Sequence, residues 1–260
     1  MLIQCYQINF WVRYAAAVLI VVAAAEFGRW LGLSWRRRRS DALTAELLTL
    51  EGAALGLVAL IIGFTFSMAL TRFDARAKGV VDEANMIATT ASRARALPEP
   101  HAAEVRKLLS DYAQVRVDRL ADVDVRNLLD PAIRRSAELQ ADLLRHAAAV
   151  SIADPHSIPA GLFATSLSEM IDQQEVRLAA ARNRVPPAVL FLLYGIALVG
   201  IGLSGYVGGL ASRSGRLPHA LMALMVATVI VMIDDIDRPQ SGLITVGQQP
   251  LINLKESLAP

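Results

Sequence analysis

GAALGLVALIIGFTFSMALT, residues Gly52–Thr71, contains no Asp, Glu, Lys or Arg, and neither does VPPAVLFLLYGIALVGIGLSGYVGGLAS, residues Val185–Ser212. At about 1.5 Å of rise per residue, a helix of 20 residues covers roughly 30 Å, the thickness of a bilayer's hydrocarbon core. Both runs reach that length. The sequence therefore reads as an all-α integral membrane protein whose solvent along these stretches is lipid.

Two further apolar segments lie outside this pair. Tyr14–Leu33 is long enough to span but carries Glu26 and Arg29, three residues apart and so on one helical face. Charges in hydrocarbon are costly unless paired or close to the interface, so Glu26 and Arg29 are expected to form an interfacial group. Glu51, at the start of the next span, is expected to join them, because a carboxylate suits a helix N-terminus. Leu217–Ile233 is free of formal charge, has Pro218 in its first turn, and runs into Asp234, Asp235 and Asp237. The N-terminus lacks the basic leader and small-residue cleavage site of a secretory signal, so the first apolar segment is expected to be retained.

The expected organisation is four transmembrane helices in two pairs flanking a helical extramembrane domain. It comprises an N-terminal segment with the first transmembrane helix (1–35), a short basic loop (36–51), the second (52–71), the extramembrane domain (72–184), the third (185–212), a short loop with the fourth (213–233), and a C-terminal tail (234–260). After each pair the chain returns to its starting side. Arg36–Arg39 follow the first span as a topological anchor, and Arg213 and Arg216 precede the fourth. Against them stand Arg72, Arg76, Lys78, Arg177, Arg182 and Arg184 beside the domain's own spans. The positive charge is nearly tied. The weight of the positive-inside rule on short loops slightly favours a cytoplasmic side for the arginine-rich ones, which would put the domain on the opposite side.

Composition supports this division. Of the 260 residues 54% are hydrophobic, yet 19% are charged and must sit in water. Between Arg72 and Arg184 there are 16 Lys or Arg and 16 Asp or Glu, a polar stretch without net charge. That balance argues against a nucleic-acid surface, which needs clustered cations to displace counterions from phosphates. The single cysteine, Cys5, excludes an intrachain disulfide and a cysteine-based zinc cluster.

Within the polar stretch apolar residues recur at helical spacing, as in Val105, Leu108, Leu109 and Tyr112. A first helix is expected to continue from the second span to about Leu97, where Pro98 and Pro100 stop it. A second ends near Leu120. A third starts at Asp130 and Pro131, a cap and first-turn pair, and ends near Ser151. A fourth starts around Pro159 and leads to the third span.

Three patterns that look chemical have simpler readings. Gly200, Gly202 and Gly205 spell a dinucleotide-binding G-x-G-x-x-G, but they lie within a charge-free run with no acidic residue at the required spacing. With Gly195, Gly208 and Gly209 they are expected to let another helix approach closely. His101, His146, His156 and His219 are scattered through the sequence without metal-site spacing. Asp234, Asp235 and Asp237 offer hard oxygen ligands, but at a span boundary solvation or ion pairing is the simpler role. No metal, no cofactor and no enzymatic activity are expected. Arg72 and Arg76 share a helical face at the domain end of the second span, and with the three aspartates they form an expected interhelical charge lock.

Several blocks carry a family resemblance. Gly63-Phe64-Thr65-Phe66-Ser67-Met68-Ala69-Leu70, continuing to Arg72-Phe73-Asp74-Ala75-Arg76 and Val80-Val81-Asp82-Glu83-Ala84-Asn85, resembles the signature of a bacterial membrane family described as bestrophin-like. Leu97-Pro98-Glu99-Pro100, the segment from Asp235 to Ile244, and Gln248-Gln249-Pro250-Leu251 resemble further blocks, and Glu26, Gly28, Arg29 and Gly32 carry the likeness in the first span. The resemblance implies a homo-oligomer in the lipid bilayer of a bacterial inner (plasma) membrane, and through the bestrophins an anion channel whose neck is lined by apolar side chains of the second span. Ile61, Phe64 and Met68 share a face at helical spacing and are the candidate pore or gate residues. The other reading of this face is packing against lipid or a helix, since aromatics and methionine commonly supply packing area. Two function classes follow: an ion channel with anion preference, or a non-conducting membrane scaffold or sensor whose helical domain binds a protein partner.

Overall fold

The structure is a computed structural model and describes residues 2–35, 41–118, 131–211, 216–238 and 243–258. Eight helices are present among them and no strand: α1 (Leu2–Trp35), α2 (Asp41–Ala94), α3 (His101–Asp118), α4 (Pro131–Ala153), α5 (Ile158–Arg182), α6 (Pro187–Ala211), α7 (Arg216–Ile236) and α8 (Gln249–Leu258). Four stretches, within Phe10–Trp35, Ala45–Ala94, Ile158–Leu210 and Arg216–Ile236, are long and apolar enough to cross a membrane. Arg36–Arg39, Arg213, Asp130 and the block from Pro239 to Gly242 lie outside the described residues.

Helix boundaries follow local chemistry. α2 stops at Ala94, shortly before Pro98 and Pro100, whose rings cannot continue an α-helix. Pro131 and Pro187 open α4 and α6 at the position where a missing N–H costs nothing. The Ser157 side chain caps α5 by accepting from the Ala160 N–H, with Pro159 in the first turn. α2 begins at Asp41, so residues 41–51, expected in the short loop, are already helical.

The chain divides into two compact units. The first contains residues 1–71 and 184–245: α1, the apolar part of α2, α6 and α7. Its small core joins Val21 and Ala25 to Ile201, Ala223 and Ala227. Most of its apolar area faces outward: in the apolar windows of α1 and α2 only 11% and 17% of residues are buried, so lipid or further protein must cover them.

The second unit contains residues 72–183 and 246–260: the polar part of α2, α3, α4, α5 and α8. It encloses an ordinary interior, with Ile87, Val105, Leu109, Leu139, Leu143, Phe163, Leu167 and Met170 fully buried. α8 packs on α3 and places Leu251 and Leu254 in the same core. The C-terminal segment therefore helps to close the helical unit.

Candidate functional site

The candidate gate residues lie on the apolar part of α2. Val58, Thr65 and Ala69 are buried, and the Thr65 hydroxyl is satisfied within the helix by donating to the Ile61 carbonyl at 2.8 Å. On another side of the same helix Leu57, Leu60 and Phe64 are exposed, Phe64 to 64%, with Ile61 and Met68 half-buried beside them. Ile61, Phe64 and Met68 follow one another at spacings of three and four and so form one stripe. With Leu57 and Leu60 exposed beside it on a charge-free helix, this ring belongs to an apolar face too extended to be left to water. Its cover is lipid, another copy of the chain, or the dry wall of a pore.

The glycines of α6 divide into two groups. A Cβ on Gly205 would stand 2.0 Å from the Ala25 carbonyl oxygen, and one on Gly209 would stand 2.4 Å from that of Arg29. From the other side, a Cβ on Gly28 would meet the Gly202 carbonyl at 1.9 Å and one on Gly32 the Tyr206 carbonyl at 2.2 Å. α1 and α6 thus touch backbone to backbone, the geometry that small residues permit between membrane helices. Gly200 meets the Val58 side chain of α2, Gly208 is half-buried, Gly202 has ordinary clearance, and Gly195 faces open space.

The acidic residues at the end of α7 have separate tasks. Asp234 accepts from Arg13 at 2.9 Å and pairs with Arg238 at 3.2 Å. Asp235 is buried and accepts from the backbone N–H groups of Leu243 and Ile244 at 2.9 and 3.0 Å, folding the chain back past the helix end. Asp237 accepts from the Val185 N–H at 2.9 Å, fixing the approach to α6. Arg13 was not foreseen as a partner because 221 positions separate it from Asp234 and no local pattern links them. A groove of about 430 Å³ beside this pair is walled by Ile20, Leu190, Phe191 and Tyr194.

Arg72 and Arg76 have partners within the second unit. Arg72 Nε donates to the Asn183 side chain at 3.3 Å, and the buried Arg76 donates to the Asn183 carbonyl at 3.5 Å. At the other charged group, Glu51 accepts from the Ser204 hydroxyl at 2.6 Å, tying α2 to α6. Glu26 lies 3.9 Å from Arg216, and Arg29 has a buried Nη1 without a hydrogen bond among the described residues. Glu26, Arg29 and Glu51 are therefore placed on α1 and α2 but not joined to one another among the described contacts.

Two polar clusters of the helical unit escaped the sequence reading. Glu83, fully buried on α2, pairs with Arg116 of α3 at 2.5 Å and with Arg177 of α5. Arg177 also donates to the Gln248 side chain at 2.8 Å. Burial, and then the neighbouring Arg116, lower the Arg177 pKa against the pull of Glu83. Next to them the Tyr112 hydroxyl donates to Gln174 at 2.6 Å, and burial pushes the phenol up to about 12. The second cluster joins His101 and Glu104 of α3 to His146 of α4. Its only sequence signal was the one-turn spacing of His101 and Glu104.

Comparison with known proteins places this geometry in a family. The model of the Bestrophin-like domain matches residues 18–251, so the chain belongs to the Bestrophin-like family and is a membrane protein. Its fold is shared with a bacterial bestrophin homologue from Klebsiella pneumoniae. One point variant of that protein has a TM-score of 0.67 at 15% identity over 96% of this chain and 97% of the other. A second variant gives 0.63 at 14% identity, covering 96% and 99%. A structure described as a membrane protein gives 0.64 at 14% identity, covering 95% and 96%. No curated protein matches the chain.

Proposed function

We propose that this protein is the subunit of a homo-oligomeric ion channel with anion preference in a bacterial inner membrane, its four spans arranged as two pairs flanking the helical domain. The observation that carries the proposal is the match to the Bestrophin-like family over residues 18–251. The stripe of Ile61, Phe64 and Met68 supports it, because an apolar face left uncovered on one copy suits a ring of copies around an axis. In that ring Phe64 is the narrow point, and an apolar constriction gates by excluding water. Gly28, Gly205 and Gly209 hold α1 against α6, so the subunits meet as rigid bodies. The charged residues at the helix ends, Glu26, Arg29 and Glu51 on one group and Arg72, Arg76, Asp234, Asp235 and Asp237 on the others, serve to fix these ends.

Chloride flux from vesicles reconstituted with the purified protein tests this reading. Wild type should conduct, and Phe64→Ala should conduct several-fold faster, because a methyl group leaves room for water where the ring excluded it. No flux from either protein, with an assembly that has no axial path, would support a non-conducting scaffold or sensor. One feature favours that second reading: Ile152 and Ile158 of the helical unit are 79% and 75% exposed and offer apolar contacts to a protein partner.

A further inference from the structure

His101 is the first residue of α3, Glu104 lies one turn further on, and His146 faces them from α4. The two Nδ1 atoms of His101 and His146 are 3.0 Å apart, with the rings inclined at 73°. On the far edge of the His146 ring, Nε2 lies 3.4 Å from a Glu104 carboxylate oxygen. One ligand atom from each of the three residues lies within 4.8 Å of the other two. The cluster opens to water: His146 is 22% exposed and Glu104 57%.

Proton bookkeeping limits what this arrangement can be. A neutral imidazole carries one N–H, and the Glu104 carboxylate, 3.4 Å from His146 Nε2, favours placing it on that nitrogen. The Nδ1 of His146 is then a lone pair directed at His101. In a tetrahedral metal centre with metal–nitrogen bonds of roughly 2.0–2.1 Å, two ligand nitrogens stand about 3.3 Å apart. The observed separation needs to open by only about 0.3 Å, within the reach of small side-chain rotations. A carboxylate on the outer nitrogen of a ligating histidine is also the arrangement that fixes its tautomer and raises its basicity.

We propose that His101 and His146 bind a divalent transition metal of the zinc or cobalt type through their Nδ1 atoms, with Glu104 as the positioning residue that orients His146 and water completing the coordination. Imidazole nitrogen selects such ions over Mg²⁺ and Ca²⁺, which prefer oxygen. Binding cross-links α3 to α4 within the helical unit and stabilises that unit by mass action. The site does not depend on the channel reading, since all its residues belong to a unit with its own core.

The test is a Co²⁺ titration of the full chain in detergent, free of any histidine tag, followed by visible absorption and by displacement with Zn²⁺. One equivalent should bind to wild type. His101→Ala and His146→Ala should weaken binding at least 100-fold, and Glu104→Gln by about 10-fold, the usual scale for an outer partner. His156→Ala should bind as wild type does, and Zn²⁺ should raise the thermal midpoint of wild type but not of His146→Ala. Helical circular dichroism confirms that each variant is folded before titration. Equal binding by wild type and a folded His101→Ala/His146→Ala double variant, or no stoichiometric binding to wild type, overturns the proposal and leaves a histidine pair hydrogen-bonded to itself beside Glu104.

Discussion

The two units of this chain solve the same problem, holding long helices together, with opposite chemistry. In the first unit α1 and α6 meet through glycine and a small apolar core, and many of their large apolar side chains point away from the contact: Phe27, Trp30, Phe191 and Val199 are all exposed. In the second, apolar side chains point inward and a buried acid lies among them, Glu83 between Arg116 and Arg177. The difference follows from the surroundings. Lipid is as apolar as a leucine side chain, so burying leucine gives membrane helices no advantage, and close backbone packing has to supply the attraction. Water drives apolar groups together, and a core formed that way can enclose charges provided they are paired.

The largest effect should come from breaking the charge balance of the helical unit. Glu83→Leu leaves two buried guanidinium groups facing each other, a loss of about 3–5 kcal/mol on the scale for one-sided removal of a buried pair. Denaturation followed by circular dichroism should show it; a loss below 1 kcal/mol would mean that water already reaches Arg116 and Arg177. Replacing all three residues with apolar ones should recover much of the stability, since a buried ion network holds a fold no better than good packing does.

A smaller loss is expected from the glycine contact. Gly205→Ala puts a methyl group onto the Ala25 backbone, and backbone cannot rotate away, so about 1–3 kcal/mol should be lost. Gly195→Ala, which adds its methyl to open space, should leave the thermal midpoint in detergent unchanged or slightly raised, since alanine favours a helix over glycine. Equal behaviour of these two variants would remove the distinction drawn between the units.

The smallest effect concerns Tyr112. Tyr112→Phe removes the hydroxyl that Gln174 accepts from, at about 1 kcal/mol near neutral pH. Its pH dependence carries the sharper signature. The unfolded phenol releases its proton near 10.0 and the folded one near 12, so above pH 10 the unfolded state holds fewer protons and the folded state loses stability as pH rises. The advantage of wild type over Tyr112→Phe should therefore be full below pH 10 and shrink between pH 10 and 12. An advantage that stays constant over that window would mean that the phenol is not shielded from water.

Much of the fold was legible in the sequence. An all-helical chain with four long apolar segments could be read from charge spacing, and the stops at Pro98 and Pro100 and the start at Pro131 followed from proline chemistry. The sites were less legible. The six glycines of α6 look alike in the sequence, yet Gly205 and Gly209 contact backbone whereas Gly195 contacts nothing. The helical period alone does not say which side of α6 turns toward α1. The acidic trio was visible, but Arg13 as the partner of Asp234 was not. The four histidines looked scattered because sequence distance hides that α3 and α4 bring His101 and His146 within 3.0 Å.

By itself the sequence determined the solvent of each segment, because the cost of placing a charge in hydrocarbon depends on what residues a stretch contains and on how long it is. Only the tertiary structure decided the pairings: Glu83 with two arginines, Gly205 with the Ala25 backbone, and His101 with His146. Each depends on how one helix is rotated against its neighbour. That rotation is fixed by the sum of many packing contacts, and no local stretch of the chain carries it.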